Sequence, residues 1–306
     1  MKNRGSEEAE PCRSEFMSVR QVAHYLQLNE KKIYALAAKG AIPATKVTGK
    51  WIFPRRRVDQ WLIESSHGGV LTDRLVVAGS DDPLLARVTL AIAEAIGGRA
   101  LVSYTPTGTR LGLDLLAARR ADACAIHWGP AEQAERRHPE LIAGYPLHRQ
   151  WVIVRMGRRQ QGLMVAPELA GESLETLCNG ARRWVFRQSG AGSQHFLDAS
   201  LTRLGIDLQS LRRVVDARSE REAAAYISMG EAEIAPGARA AAVESGLGFV
   251  AIGWEAFDIV TSRAVYFREL FQRLLSELAN PASRALAARL SGYDLEQCGA
   301  LVWSAG

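Results

Sequence analysis

The chain has 306 residues, 47% of them hydrophobic and 23% charged, a globular composition long enough for a small domain beside a large one. No run approaches the roughly 18 consecutive apolar residues of a membrane span. Residues 1–15 mix Lys2, Arg4, Glu7, Glu8 and Glu10 with Pro11 and lack the apolar core of a secretory signal, so a disordered tail and a cytoplasmic protein without a membrane partner are expected. Cys12, Cys124, Cys178 and Cys298 are too widely spaced for a zinc site or a disulfide framework, and neither a metal nor a cofactor is expected. The net charge of +5 is localised: residues 16–65 carry nine Lys and Arg against three Asp and Glu, whereas from Ser66 onward 26 Arg balance 26 Asp and Glu. A small cationic unit on a neutral large one suggests a polyanionic partner for the small unit.

In chain order, Ser18 caps a helix whose apolar positions Val19, Val22, Ala23 and Leu26 share one face. Gln27-Leu28-Asn29 breaks it, Asn29 caps a second helix with Ile33, Leu36 and Ala37 inward, and Gly40 ends that helix. Two short helices joined by a tight turn can place the second in a DNA major groove, with Lys31, Lys32, Tyr34, Ala35 and Lys39 facing outward. Ala44–Val47 and Lys50–Phe53 flank Thr48-Gly49 and predict a hairpin wing bearing Lys46 and Lys50. Pro54 is expected to stop it, and a third helix over Arg55–Ile63 buries Val58, Trp61 and Leu62, with Arg55 and Arg56 beside the wing.

Ser18–Leu26, Ile33–Leu36 and Gly49–Phe53 resemble the excisionase-type, MerR-like winged-helix family over about fifty residues. The resemblance implies a small all-α winged helix-turn-helix domain over 16–66, in which the second helix reads double-stranded DNA while wing and basic residues hold phosphates. That family contains both transcription regulators and recombination factors.

Ser65-Ser66-His67-Gly68-Gly69 marks a boundary, with a linker over 67–72. Beyond it, strand-like Leu75–Gly79, Ala100–Tyr104, Ala123–Ile126, Trp151–Val154 and Arg183–Phe186 alternate with helices over Pro83–Ile96, Arg110–Arg119 and Gln194–Leu204. The alternation predicts a parallel sheet covered on both faces, with ligands at the strand ends against helix N-termini. Four turns qualify. Gly79–Pro83 offers Asp82 as a cap and Ser80 as a free hydroxyl, with Asp81 between them; Thr105–Thr109 offers Thr107 and Thr109. His127-Trp128-Gly129 offers His127, and Arg187–Ser193 offers Arg187, Ser189, Gly190 and Ser193.

Val77–Leu85, Ala121–Trp128, Gln161–Pro167, Phe186–Ser193, Gly230–Gly237, Gly246–Val250 and Gly292–Asp294 resemble the periplasmic-binding-protein-like effector domain of bacterial regulators, related in fold to molybdate- and tungstate-binding proteins. The resemblance covers 73–306 and implies an α/β two-lobed (type II) domain sensing a small molecule or oxyanion such as molybdate or tungstate. Lobe 1 would span about 73–155 and 250–306, lobe 2 about 156–249, joined by crossing strands near 155–158 and 249–254. One loop departs from the family: a common Gly-Ser-Gly-Thr-Arg is here Gly190-Ala191-Gly192-Ser193-Gln194, followed by His195. Unless Arg187 substitutes, a fixed cation is missing, which leaves room for an uncharged or partly anionic organic ligand. His195 either tunes the site with pH or faces solvent from the first helical turn.

The six histidines show no metal-ligand spacing, no phosphate-loop lysine follows a glycine run, and Gly190–Ser193 is not a nucleophile elbow, so an enzyme is not expected. The expectation is a ligand-responsive transcription regulator, a homodimer if its operators are two-fold. The alternative is an excisionase-like architectural or recombination accessory protein whose large domain is not a sensor.

Overall fold

The computed structural model describes residues 15–65, 74–178 and 181–305; the tail over 1–14 and the linker over 67–72 lie outside them. The chain divides into two compact units, Met1–Thr72 and Asp73–Gly306.

The first unit begins with β1 (Phe16–Met17), followed by α1 (Val19–Leu26) and α2 (Glu30–Ala38). Ser18 accepts from the Gln21 N–H while Gln21 returns a bond to the Ser18 N–H, a reciprocal capping box. Gln27 takes a left-handed conformation at φ 53°, and Asn29 caps α2 through the Lys32 N–H at 2.7 Å. β2 (Thr45–Val47) and β3 (Lys50–Pro54) form the expected hairpin, in which Thr48 and Gly49 both adopt positive φ, the twist that suits a two-residue turn. α3 (Arg55–Ser65) follows. Met17, Val22, Ile33, Phe53 and Val58 form its core. Two local expectations need correction. Pro54 does not end the strand before it but lies within β3 and pairs with Phe16 of β1, so a third strand joins the wing. Leu62 is exposed, because the helix turns Val58 and Trp61 toward the core instead.

The second unit runs β4 (Arg74–Gly79), α4 (Pro83–Ile96), β5 (Leu101–Pro106), α5 (Thr109–Ala117), β6 (Ala123–Ile126), α6 (Ala134–Ala143) and β7 (Trp151–Val165). It continues with α7 (Leu174–Cys178), β8 (Arg183–Arg187), α8 (Gly192–Arg203), β9 (Arg212–Ala217), α9 (Glu220–Ser228), β10 (Ile234–Ala238), α10 (Arg239–Glu244) and β11 (Gly248–Ser262). α11 (Arg263–Tyr266), α12 (Glu269–Ala279), α13 (Pro281–Leu290), β12 (Tyr293–Asp294) and β13 (Leu301–Ser304) complete it.

The sheet is mixed, not parallel. Parallel pairing is confined to β5-β4-β6 and to β10-β8-β9, and each set joins the long antiparallel pair β7–β11. These two 15-residue strands cross the whole unit: β6 pairs with the C-terminal part of β11, and β10 pairs with the C-terminal part of β7. Their halves therefore belong to different hydrophobic cores. Leu75, Leu84, Leu85, Val154, Phe257, Phe271 and Leu274 pack in one lobe, and Leu163, Trp184, Leu197, Leu201, Ala224 and Ile234 in the other. Among the described residues no helix is long and apolar enough to cross a membrane.

Gly79 ends β4 at φ 113°, and a Cβ there would overlap the Ala125 carbonyl and lie 2.7 Å from the Ala125 nitrogen. Gly79→Ala combines backbone strain with a backbone collision and should cost about 2–5 kcal/mol. Thermal melts should show a large fall in Tm; an unchanged Tm contradicts this packing.

Candidate functional site

On the small unit, Lys31, Lys32, Tyr34, Ala35 and Lys39 are all exposed on one face of α2, and Lys46 and Lys50 are exposed beside the wing turn. Lys46 lies 5.8 Å from the Trp51 ring, Arg55 is half-buried with its guanidinium 4.8 Å over the Tyr25 ring, and Arg56 is exposed. The geometry is a helix face and a hairpin, both carrying exposed cations.

On the large unit, the ends of β4, β5, β6 and β8 meet where the lobes touch. Ser80 is not a free hydroxyl: its Oγ bonds Thr109 Oγ1 at 2.7 Å, and Thr109 also donates to the His127 carbonyl at 3.2 Å. Thr107 accepts from the Gly79 N–H at 3.0 Å, while its carbonyl receives Gln188 Nε2 of the other lobe at 3.4 Å. Arg110 donates its backbone N–H to the Gly190 carbonyl at 3.4 Å, and a Cβ on Gly192 would lie 2.6 Å from His127 Nε2. Ser189 is exposed on the loop. Ser80, Asp81, Thr109, His127, Arg187 and Ser193 are each at least nine-tenths buried.

Four helices begin at this junction, and they differ. Asp82 caps α4 on the Leu85 N–H and Ser219 caps α9 on the Glu222 N–H. α5 has Gly108 and α8 has Ala191 at the N-cap position, neither with a side-chain cap. Their positive N-terminal poles thus adjoin each other across the lobe contact, an arrangement that attracts an anion. Arg187 stands beside them. Its guanidinium donates to Ser193 Oγ at 3.0 Å and to the carbonyls of Ala217 and Arg218 at 3.1 and 3.0 Å. Those bonds occupy three of its five N–H donors, and none goes to a carboxylate. Burial pulls the Arg187 pKa down, with Glu220 and Asp81 opposing. A buried cation so placed lowers its own desolvation cost by taking an anion.

Behind this lies a charge knot that sequence reasoning missed. Arg159, 1% exposed on β7, donates to Glu255 at 2.6 Å, to Asp82 at 3.0 Å, to Glu220 at 3.3 Å and to the Asp81 carbonyl at 2.7 Å. Glu255 in turn holds His127 Nδ1, and Gln161 Nε2 bonds both Glu220 and Glu255. Burial pushes the Glu255 carboxyl up, but His127, Arg159 and Gln161 more than offset this and hold it below the ordinary carboxylate range. Arg221 of lobe 2 clasps Asp81 of lobe 1 at 2.6 Å. The available signal was Arg159-Gln160-Gln161 inside a strand with apolar ends that also carries Arg155 and Arg158, with Arg159 and Gln161 two apart and so on one face.

His195 is half-buried and does not simply face solvent. It stacks on Trp128 at 4.3 Å and receives Arg137 at 3.1 Å, and burial followed by the Arg137 charge lowers its pKa. Arg110 lies 4.9 Å over the other partner of that stack, Trp128. Among the described residues no group of three or more His, Cys, Asp or Glu could hold a metal ion.

A helix-turn-helix head ahead of a two-lobed α/β unit with crossing strands defines the class. The family model described as helix-turn-helix domain matches residues 16–66, and that described as PBP superfamily domain matches residues 93–279. The latter spans more than half of the chain, which belongs to the PBP superfamily. Solved structures share the fold, two of them as follows. The molybdate-binding protein of Azotobacter vinelandii is 17% identical at TM-score 0.53, covering 73% of this chain and all of that one. A protein of Clostridium perfringens, described as a phosphate transporter substrate-binding protein with bound phosphate, is 11% identical at TM-score 0.52, again covering 73% of this chain and all of that one. No curated protein sequence matches the chain.

Arg159→Met should destabilise the large unit by about 3–5 kcal/mol, because it strands three buried carboxylates. The pH dependence has a definite sign. Glu255 is held below its unfolded value, so its stabilisation is complete above that value and is lost as pH falls through the folded one. In the variant Glu255 loses Arg159, one of the groups that hold it down, so the deficit should narrow on acidification through the range in which Glu255 takes up its proton. Denaturant titrations at several pH values test this, and a deficit that widens contradicts it.

Proposed function

We propose that the chain is a ligand-responsive, DNA-binding transcription regulator of the cytoplasm, acting as a homodimer on two-fold sites. The helix-turn-helix head binds double-stranded DNA, and the lobe junction of the large unit takes a small anionic effector, with molybdate and tungstate among the candidates. The observation that carries the reading is the joining, in one chain, of a cationic helix-turn-helix face to a two-lobed binding fold whose strand ends converge on uncapped helix N-termini. Molybdate in one compared protein and phosphate in the other are both oxyanions, which agrees with an anionic effector here.

In this reading α2 enters the major groove, Tyr34 and Ala35 face base edges, and Lys31, Lys32, Lys39, Lys46, Lys50, Arg55 and Arg56 hold phosphates. Ser80, Thr107, Thr109, Arg187, Gly190 and Ser193 surround the effector, with His127 and Asp81 positioned by Glu255 and Arg221. Closure of the lobes on the effector is the transition that biases the regulator between states. The reading assigns no catalytic step: burial raises the Cys124 thiol, away from the thiolate a nucleophile needs. Homodimer formation follows from the two-fold symmetry of such DNA sites.

The test is DNA binding by the full chain across a salt series. A Lys32→Ala, Lys50→Ala double variant should bind more weakly and show a shallower dependence, by about 0.9 log unit per lost phosphate contact. Wild-type behaviour of the variant at every salt concentration contradicts the groove and wing assignment. Absence of DNA binding by the wild type at low salt contradicts the regulator itself.

A further inference from the structure

The lobe junction contains donors without anions and also acceptors without donors. Gln161 is 1% exposed, and its Nε2 is committed to the carboxylates of Glu220 and Glu255. That commitment fixes the amide orientation, because turning it would set Oε1 against two carboxylates. Gln161 Oε1 is then buried without a hydrogen-bond partner. Gln188 repeats the pattern on the β8–α8 loop. Its Nε2 donates to the Thr107 and Arg218 carbonyls, and its Oε1 is likewise buried without a partner. Both amides lie at the junction. Gln188 abuts Gly108, the residue before α5, with Nε2 2.8 Å from the place of a glycine Cβ. Gln161 is linked through Glu255 to His127, the residue that meets Gly192 in the first turn of α8. A buried acceptor left unpaired is costly, so its partner belongs to whatever the site takes.

We propose that the effector is a small organic acid carrying a hydroxyl or ammonium group beside its carboxylate, in preference to a fully deprotonated tetrahedral oxyanion. This rests on the reading of the lobe junction as the effector site. The carboxylate faces the uncapped starts of α5 and α8 and the spare donors of Arg187. The hydroxyl or ammonium donates to the unpaired glutamine oxygens, Gln161 Oε1 beside Glu220 and Glu255 and Gln188 Oε1 beside the start of α5. Molybdate and sulfate offer acceptors alone. They would serve the helix ends and Arg187 while leaving both amide oxygens unpaired.

The experiment is calorimetric titration of the full chain with matched acids, succinate against malate and propanoate against lactate, and with molybdate and sulfate. The hydroxy acid of a pair should bind about ten- to a hundredfold tighter than its plain counterpart. Gln161→Leu should lower its affinity toward that of the plain acid. Gln188→Leu, on a more exposed loop, should narrow the preference in the same direction and serves if the first variant does not fold. Equal affinities within both pairs, or molybdate binding tighter than every acid and unaffected by either variant, overturns the donor proposal while leaving an anion site standing. Failure of every anion to bind the folded chain removes the anion site as well.

Discussion

Arg159 is the residue on which the two-lobed unit depends. A guanidinium removed from water this completely is tolerable only if its donors are matched, and here they reach Asp82 in lobe 1, Glu220 in lobe 2 and Glu255 on the neighbouring crossing strand. The same knot caps α4, since Asp82 accepts both from Arg159 and from the Leu85 N–H, and Tyr293 adds a third bond to it at 2.8 Å. One cation therefore fixes the start of a lobe 1 helix, the start of a lobe 2 helix and, through Glu255, the histidine that follows β6. Such a knot adds little net stability compared with an apolar core. What it does join is Asp82 of one lobe to Glu220 of the other through a single guanidinium.

The knot also explains why the strand ends are arranged as they are. Asp81 and Asp82 would repel an anion at the β4 turn, yet both are engaged, Asp81 by Arg221 and Asp82 by Arg159. Anion attraction then falls to the α5 and α8 starts and to Arg187, which lacks a carboxylate of its own. Arg187 lies seven residues before Gln194, the position where the loop it resembles carries an arginine. Gln194 accepts from the Arg187 N–H at 2.8 Å and helps hold that strand end.

What could be read in the sequence divides along physical lines. The head was legible because its signals are local: a capping box, an Asn cap and a glycine turn act within four residues. Strand β1 was not, because two residues carry no period, and Leu62 was misplaced because the third helix offers too few apolar positions to define its face. In the large unit, α4 was read residue for residue from Asp82, Pro83 and its apolar stripe, while α5 and α8 begin one and two residues earlier than expected. The mixed sheet was hidden, since the pairing of β7 with β11 brings together residues about a hundred positions apart. The strand-end turns were found by topology, but Arg159, Gln161, Glu220 and Glu255 acquire their roles only through contacts that the register of those long strands creates.

A regulator requires that its two functions communicate, and thermodynamic linkage makes that communication reciprocal. The direct measurement is DNA affinity of the full chain with and without saturating amounts of each anion that binds it, paired with anion affinity with and without DNA. The account predicts that at least one anion shifts DNA affinity by about 5- to 150-fold, and that DNA shifts the affinity for that anion by the same factor. A folded chain that binds both, each indifferent to the other, would contradict it.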